Sequence, residues 1–466
     1  MFAAPMGGSL PAMDATKVVI IGGGPGGNAC ATTAARLGAQ VTMIERDVVG
    51  GAAHLWDCIP SKSMIATGGA MSFLSRTQGM GLAGVTPTVD LVALKERLEH
   101  IKDRLRSQME NLLESQGVNL VTGSGRIDGP HRVIADTAEG ELIFEADFVV
   151  ICTGSRPRIP DWVEPDGDRV LTTRDAYPPR EMPTHLVVVG SGVTGVEFVH
   201  MFKSFGADVS LVVSRQHVLP LKDPEVAAAL EDDFLRRGVR LYKGARATGV
   251  ERTTEGVQVM CDDGRIIEGS HVLLAIGSIP NSETLGLETI GLETKWGYIP
   301  NDHNCKSEVD WVYTAGDVSG KLPLSSVATM QGRKVAEHAL GLHRERSHTH
   351  IDYDKAASAI FTEPEIADVG LAEADAFAEG RKIRVTKVPF SISAKALIND
   401  DPRGFVKIVS DPATGVVLGG SIVGRHAAEL ISVLALAVTA GLTVTHIHET
   451  LMVHPSLAEV LAEAAE

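Results

Sequence analysis

Three glycines near the start of the chain, Gly22, Gly24 and Gly27, have the spacing that lets a backbone bind a pyrophosphate. In this pattern the first glycine permits a tight turn, the second lets the backbone approach the phosphates, and the third lets a helix pack against a strand. Glu45 follows at the end of the next strand, where a carboxylate can accept hydrogen bonds from ribose hydroxyls. The pattern predicts a dinucleotide site, and the alternative for Glu45 is a surface acid at a strand end.

A second set of glycines repeats this spacing with a different ending. The glycines are Gly190, Gly192 and Gly195, and the position equivalent to Glu45 is Val213, followed by Ser214 and Arg215. A missing acid and a nearby cation suit a ribose 2′-phosphate, so the second site favours NADPH, with NADH as an alternative. The competing interpretation is that Arg215 is an ordinary surface arginine.

Both glycine loops stand inside the same order of predicted elements. Residues 17–45 give KVVII, GGGPGG, NACATTAARLGA and QVTMIE, and residues 185–213 give HLVVV, GSGVTG, VEFVHMFKSFGA and DVSLVV. FVVICTGSRP at 148–157 likewise resembles VLLAIGSIPN at 272–281. The duplication predicts two dinucleotide domains, and two such sites in one chain indicate electron transfer between FAD in the first and a nicotinamide in the second.

The other segments complete the predicted domain organisation. Residues 91–116 have helical spacing, the proline-rich residues 177–183 and the residues 343–350 read as linkers, and from 351 onward short strands and a helix indicate an α+β domain. The predicted divisions are an FAD domain in two parts, 14–160 and 285–345, a nicotinamide domain at 161–284, and a final domain at 350–466.

Composition excludes several classes of protein. A net charge of −16 over 466 residues disfavours nucleic acid and anionic membranes as partners. Five scattered cysteines without metal-ligand spacing predict a reducing compartment and no metal site. The first twelve residues lack the basic and apolar segments of a signal peptide, so we expect a loose tail. The longest apolar stretch, 430–442, is too short to span a bilayer, and we expect a cytoplasmic protein.

Seven motifs give the chain a family resemblance along nearly its whole length. It resembles the pyridine nucleotide-disulfide oxidoreductases, which include dihydrolipoamide dehydrogenase, glutathione reductase and mercuric reductase. The resemblance implies two doubly wound α/β domains, a C-terminal α+β dimerisation domain, a homodimer, and the cofactors FAD and NAD(P)H. The motifs are GGGPGG with Glu45, GGAAHLWDCIPSK at 50–62, ICTGSRP, GSGVTGVEF, AIGSIPN, YTAGD at 313–317 and FTEPEIADVG at 361–370.

The same resemblance implies roles for individual residues. Asp317 of YTAGD would contact the flavin ribityl chain, and Lys62 of IPSK would lie beside flavin N5 with Glu197 as its partner. A cation near N5 stabilises electron density on the reduced ring, and an acid holds that lysine charged and in place. The alternative is a structural ion pair. Further implied contacts are Gly51, Gly125, Thr153 and Gly154 for FAD, and Glu197 and Gly277 for NAD(P).

The chain departs from the disulfide reductases of this family at one of their two redox cysteines. Those enzymes carry two cysteines separated by four residues, whereas this chain has Ala53 and Cys58. One thiol cannot form the intramolecular disulfide that accepts electrons from flavin, so we expect no disulfide reductase activity. Cys58 would lie against the flavin, where it is either a redox-active thiol or an inert one.

Near the C-terminus, HPSLAEV at 454–460 resembles the HPTLSE motif of the family. The resemblance makes His454 a base and Glu459 the acid that orients it, acting in the active site of the partner subunit. A histidine titrates near neutral pH and can pass a proton to a reduced acceptor. Without the disulfide, this pair either protonates a bound quinone or is vestigial.

Four functions are compatible with these observations. The leading hypothesis is an FAD-dependent NAD(P)H:quinone oxidoreductase, because GGAA at 50–53 resembles the branch of the family that lacks the disulfide. The first alternative is a soluble pyridine nucleotide transhydrogenase. The others are a peroxidase or metal-ion reductase that uses Cys58, and a non-catalytic FAD protein, which would not need a second glycine loop.

Overall fold

The computed structural model describes residues 15–342 and 350–466. The N-terminal tail and nearly all of the linker predicted at 343–350 therefore lie outside the described residues. Two compact units are present. Unit 1 comprises the chain as far as Gly51, Leu105–Gly154 and Pro280–Ile351, and unit 2 comprises Ala52–Arg104, Ser155–Ile279 and Asp352–Glu466.

The described residues form twelve α-helices. The long helix predicted at 91–116 is present and ends one residue earlier. In chain order the helices are α1 Pro25–Arg36, α2 Gly51–Leu55, α3 Cys58–Arg76, α4 Leu91–Ser115, α5 Val193–Ser204, α6 Pro224–Arg236, α7 Ser325–Ala339, α8 Glu373–Ala378, α9 Ala394–Ile398, α10 Ala427–Ala440, α11 Val444–His448 and α12 Glu459–Ala464.

The described strands are all short, and the two motifs with glycine loops begin at β1 and β10. In chain order they are β1 Lys17–Ile21, β2 Gln40–Glu45, β3 Asn119–Thr122, β4 Ser124–Ile127, β5 Arg132–Thr137, β6 Gly140–Glu145, β7 Phe148–Ile151, β8 Ser155–Pro157, β9 Val170–Thr172, β10 His185–Val189, β11 Asp208–Val213, β12 Arg240–Lys243, β13 Ala247–Arg252, β14 Val257–Cys261, β15 Ile266–Gly269, β16 His271–Leu274, β17 Ser278–Pro280, β18 Val312–Thr314, β19 Ser358–Ile360, β20 Ile366–Gly370, β21 Arg384–Pro389, β22 Phe405–Ser410 and β23 Val417–Val423.

Unit 1 is built on a parallel sheet with the order β18-β7-β1-β2-β3. Its central strand β1 is KVVII, and four of its five residues are buried, as expected for a strand covered on both faces. β4, β5 and β6 form a separate antiparallel sheet. The chain returns to the edge of the parallel sheet with β18, after the whole of the second glycine-loop motif.

Unit 2 contains a second parallel sheet, with the order β12-β11-β10-β16-β9. In both sheets the strand that leads into the glycine loop is central, with the next strand of its motif on one side and a later strand, β7 or β16, on the other. The duplication predicted from the sequence is thereby confirmed. The two sheets differ at one edge. The strand beside β7 is β18, which follows the second motif in the chain, whereas the strand beside β16 is β9, which precedes that motif.

Residues after 351 form the predicted α+β arrangement, which is confirmed. Their antiparallel sheet has the order β19-β20-β23-β22-β21, and α10 packs on β20 and β23. This part of unit 2 has its own apolar core, which includes Ile408, Ile422, Ile431 and Leu434. No helix among the described residues has both the length and the hydropathy needed to cross a bilayer.

Residues 52–104 pack in unit 2, although the predicted boundaries assign them to the FAD domain. Met64, Leu94 and Leu98 are buried in the same core as Leu186 and Val188 of β10. A side chain at Gly68 of α3 would lie 3.1 Å from Cβ of Ser204 on α5, so the two helices approach closely. The four domain boundaries remain predictions.

Candidate active site

The first glycine loop joins β1 to α1 in unit 1 and excludes side chains at two of its glycines. Gly22 has φ +106°, and a Cβ there would lie 2.4 Å from the carbonyl oxygen of Cys152. A Cβ on Gly27 would lie 2.1 Å from the carbonyl oxygen of Gly22, but one on Gly24 would meet nothing within 4 Å. The loop is thus tight where the elements pack and open where a pyrophosphate would approach the start of α1, so it fits a dinucleotide.

Glu45 and Gly51 lie next to this loop. Oε2 of Glu45 accepts a hydrogen bond from the Gly23 N–H at 2.6 Å, and Oε1 accepts one from the Asp47 N–H at 2.8 Å. These bonds fix the carboxylate at the end of β2, where an adenosine ribose would need it. Gly51 has φ +58°, and a Cβ there would lie 2.8 Å from Cα of Gly24, so only glycine fits at that position.

Two other predicted FAD contacts follow β7. Oγ1 of Thr153 donates to the carbonyl oxygen of Asn281 at 2.6 Å, and Nδ2 of Asn281 donates to the carbonyl oxygen of Thr153 at 2.9 Å. Gly154 follows with φ +65°, and a Cβ there would meet nothing within 4 Å. The side-chain hydroxyl of Thr153 is therefore engaged with the protein, and the carbonyl oxygen of Gly154 accepts the N–H of Asn281 at 3.0 Å.

Asp317 and Gly125 complete the predicted FAD contacts. Asp317 begins a short 3₁₀ turn, and the N–H of the preceding Gly316 donates to Oε1 of the buried Gln331 at 2.7 Å. Gly125 lies in β4, where a Cβ would come within 2.9 Å of the Ile21 side chain. Close packing against β1 already accounts for a glycine at position 125, whatever it contacts in the bound cofactor.

The second glycine loop, in unit 2, has the same geometry as the first. Gly190 has φ +111°, and a Cβ there would lie 2.3 Å from the carbonyl oxygen of Ala275. A Cβ on Gly195 would lie 1.9 Å from the carbonyl oxygen of Gly190, while Gly192 is open. The loop leads into the twelve-residue helix α5, so it fits a second pyrophosphate.

The ribose end of this second loop differs from the first. Val213 is fully buried in the apolar core, so its side chain does not face a ligand, whereas Ser214 and Arg215 are exposed. Gly277, the other predicted contact, has φ +96°, and a Cβ there would meet nothing within 4 Å. Of the residues after β11, Arg215 is thus available for a phosphate.

Lys62 and Glu197 form an ion pair within unit 2. Nζ of Lys62, on α3, lies 2.8 Å from Oε2 of Glu197, on α5. The lysine side chain is 33% exposed and the glutamate side chain 7% exposed. The other carboxylate oxygen, Oε1, accepts the N–H of Phe361 at 3.0 Å, and Nζ of Lys62 lies 5.0 Å from the centre of the Phe361 ring. Three distant segments of sequence therefore meet at this pair.

Cys58 begins α3, one turn before Lys62. It is exposed, and no disulfide occurs in the part of the chain that the structure describes. Tyr177, from the predicted linker, is hydrogen-bonded to Ser61 and stacks on Phe198 at 4.9 Å. Burial, followed by the negative charge of Glu197, holds the pKa of Tyr177 well above its usual value, so this phenol stays protonated.

His454 and Glu459 lie together in the C-terminal part of unit 2. Nδ1 of His454 is 2.7 Å from Oε1 of Glu459, and Oε2 accepts the N–H of Ser456 at 2.8 Å. The bonds from Ser456 and His454 lower the pKa of Glu459. The side chain of His454 is 75% exposed.

Comparison with known proteins agrees with this geometry. The family model described as "Pyridine nucleotide-disulphide oxidoreductase" matches residues 16–332, and the model of its dimerisation domain matches residues 356–465. The chain belongs to this family. Like other pyridine nucleotide-disulphide oxidoreductases, it is an enzyme, an oxidoreductase that uses FAD and NAD(P)H, and it carries the family's dimerisation domain.

Similar proteins within the family are named for different activities. An "NAD(P)H dehydrogenase (quinone)" of Mycobacterium tuberculosis is 41% identical over 463 residues, which is 97% of this chain and 93% of that protein. A "Dihydrolipoyl dehydrogenase" of Zymomonas mobilis is 33% identical and covers 97% of each chain. The crystal structure of LpdA from Mycobacterium tuberculosis has a TM-score of 0.92 at 41% identity, covering 97% and 99% of the two chains.

Two residues at the site were not predicted from the sequence. Phe361 stands in a motif quoted for its family resemblance, but no periodicity indicates that its N–H reaches Glu197. Tyr177 stands in a proline-rich passage interpreted only as a linker. The one signal that could have identified Tyr177 is its aromatic side chain in an otherwise polar and proline-rich segment. Such a side chain is often buried, and a buried tyrosine hydroxyl usually has a hydrogen-bond partner.

Proposed function

We propose that this oxidoreductase is an NAD(P)H:quinone oxidoreductase that needs no redox-active disulfide. The observation that carries the proposal is Ala53, which stands where the first of the two redox cysteines of a disulfide reductase would be, while Cys58 remains at the position of the second. A lone thiol cannot cycle between disulfide and dithiol. The 41% identical relative named "NAD(P)H dehydrogenase (quinone)" supports the same acceptor class.

The glycine loops would hold the two cofactors. Gly22, Gly24 and Gly27 would bind FAD, and Glu45 would accept from its ribose hydroxyls because its carboxylate is already oriented. The glycines of the second loop would bind the nicotinamide dinucleotide, with Arg215 at a 2′-phosphate. The remaining assigned contacts are Gly51, Gly125, Thr153, Gly154 and Asp317 for FAD, and Gly277 for NAD(P).

Bound FAD supplies the redox chemistry, accepting hydride from the nicotinamide and passing two electrons to the acceptor. Lys62 would place a positive charge beside the reduced ring, with Glu197 fixing its direction. Reduction of a quinone to a hydroquinone takes up two protons. His454, oriented by Glu459, would deliver one of them in the active site of the second subunit of a homodimer.

The absence of a cysteine at position 53 also bears on the alternatives. We propose that Cys58 is not needed for turnover, so a Cys58→Ala variant would still reduce quinone. A peroxidase that used this thiol would lose activity in the same variant. We further propose that the enzyme works in the reducing cytoplasm. Its five cysteines are scattered along the sequence, and no two of them form a disulfide among the residues that the structure describes.

The test is a steady-state assay of the purified flavoprotein. NADH and NADPH oxidation would be followed with a small quinone, lipoamide, oxidised glutathione and thio-NAD as acceptors. We expect rapid turnover with the quinone and none with either disulfide. Turnover with lipoamide or glutathione would overturn the argument from Ala53, and turnover with thio-NAD alone would identify a transhydrogenase.

A further inference from the structure

Phe361 contacts both members of the Lys62–Glu197 pair. Its N–H donates to Oε1 of Glu197 at 3.0 Å, and its ring centre lies 5.0 Å from Nζ of Lys62. The residue belongs to the loop between β19 and β20, far along the chain from either partner. A single residue therefore limits the movement of the carboxylate and of the ammonium.

The two contacts act on different degrees of freedom. Glu197 is 7% exposed, so each of its oxygens needs a hydrogen-bond partner, and Lys62 and the Phe361 N–H supply one each. With both oxygens engaged, the carboxylate cannot rotate without losing a bond. The face of an aromatic ring attracts a cation, so the ring of Phe361 keeps the partly exposed ammonium of Lys62 on the side where the ring lies.

Glu363 anchors this loop through a group of arginines. It lies 2.7 Å from Arg76, the last residue of α3, and 2.8 Å from Arg403. Arg403 also binds Asp401 at 2.6 Å, and Asp401 binds Arg76 at 3.3 Å. Because Lys62 and Arg76 lie on the same helix, Glu363 fixes Phe361 relative to the element that carries the lysine.

We propose that Phe361 is a positioning residue of the redox site, which directs Lys62 with its ring and Glu197 with its N–H, while Glu363 holds Phe361 in place. The inference rests on the proposed function, in which Lys62 lies beside the flavin. Phe361 is not a catalytic residue in this scheme, because it acts on the reaction only through the ion pair.

The test compares substitutions that separate the ring face from the volume of the side chain. Phe361→Leu keeps most of the volume and loses the ring, and Phe361→Tyr keeps the ring. Phe405→Leu is the matched control, because Phe405 has the same kind of contact with another lysine, Lys387, at 4.5 Å from Nζ to the ring centre. Lys62→Met is the reference for loss of the cation.

Two quantities are measured on each FAD-loaded protein: the limiting rate of flavin reduction by NADH in anaerobic single turnover, and the midpoint potential of the flavin. We expect Phe361→Leu to slow reduction by roughly fivefold and to lower the potential in the same direction as Lys62→Met. Phe361→Tyr and Phe405→Leu should keep both quantities at the wild-type level. Adding Phe361→Leu to Lys62→Met should cause no further change.

The outcomes separate the two proposals. If Lys62→Met changes both quantities but Phe361→Leu does not, or if Phe405→Leu changes them equally, the positioning role of Phe361 is wrong and the proposed function stands. If Lys62→Met changes neither quantity, the assignment of Lys62 to the flavin fails. Should Phe361→Leu not fold, Glu363→Gln replaces it, since a loosened loop should give a smaller shift in the same direction, and a wild-type result would overturn the inference.

Discussion

Lys62 and Glu197 are 2.8 Å apart between Nζ and Oε2, but they differ in how far water reaches them. The ammonium is one-third exposed, whereas the carboxylate is almost completely buried. A buried charge without a partner is costly, and an exposed one can be hydrated instead. The two residues should therefore respond differently to loss of the other.

The first prediction concerns this asymmetry. Lys62→Met leaves a buried carboxylate with one remaining hydrogen bond, and we expect the free energy of unfolding to fall by about 2 kcal/mol or more. Glu197→Gln keeps one acceptor oxygen, which can still accept the Phe361 N–H, and loses the bond from Lys62, but it removes the buried charge and leaves a lysine that water can reach. We therefore expect a loss of about 1 kcal/mol. Denaturant unfolding of the FAD-loaded proteins at a fixed FAD concentration measures both.

A surface pair serves as the control for the first prediction. Lys306 and Asp310 are 2.9 Å apart, with the aspartate 91% exposed, and Lys306→Met should change stability by less than about 0.5 kcal/mol. The double variant Lys62→Met with Glu197→Gln should be more stable than Lys62→Met alone. Equal losses in the two single variants would contradict the argument from burial.

The second prediction concerns Glu363 and acid stability. Although burial opposes ionisation, the hydrogen bond from Ser72 and the cations Arg76 and Arg403 lower the pKa of Glu363 from 4.5 to about 2. The unfolded chain therefore takes up a proton at a higher pH than the folded protein does. Ionised Glu363 therefore contributes up to about 3 kcal/mol to the free energy of unfolding. This contribution is present above pH 4.5 and is lost as the pH falls toward 2.

Glu363→Gln provides the measurement for this second prediction. The variant should be less stable than wild type at pH 6, and the difference should shrink steadily as the pH falls below 4.5, as measured by thermal unfolding at each pH. Glu308→Gln, a change at an exposed acid in unit 1, is the control and should leave the pH dependence unchanged. A constant difference between wild type and Glu363→Gln would show that Glu363 titrates normally.

Sequence patterns predicted what depends on neighbours in the chain. The glycine loops, their flanking strands and the repeat of the motif follow from local spacing, and the first glycine of each loop, Gly22 or Gly190, has the positive φ that a tight turn requires. The α+β character of the last domain was likewise visible in alternating strands.

Other features depend on side chains that meet only after folding. Glu197 and Phe361 are 164 residues apart, and nothing in either local sequence indicates their hydrogen bond. Position 213 aligns with Glu45 in the repeat, but its side chain packs into the core, so the alignment gave a position and not a contact. Met64 and Leu98 have ordinary helical spacing, which does not reveal which sheet they cover.

The third prediction concerns nucleotide preference. Arg215→Ala should raise KM for NADPH by about tenfold and leave KM for NADH nearly unchanged. Loss of one cation beside the 2′-phosphate should weaken the binding free energy of NADPH by about 1.4 kcal/mol, and NADH has no such phosphate. Steady-state kinetics with both nucleotides and a small quinone measures this. Arg240→Ala, at an exposed position of the same sheet, is the control. Equal changes for NADH and NADPH would show that Arg215 does not contact the phosphate.

The fourth prediction separates proton delivery from hydride transfer. His454→Gln removes a group that can carry a proton, so kcat with quinone should fall by about 100-fold, while single-turnover reduction of the flavin by NADH stays at the wild-type rate. Glu459→Gln keeps the hydrogen bond to His454 and should cause a smaller loss. His448, an exposed histidine in the same part of unit 2, gives the control variant His448→Gln. If His454→Gln slowed flavin reduction as much as quinone turnover, the histidine would be structural, and an unchanged kcat would show that the pair is vestigial in this enzyme.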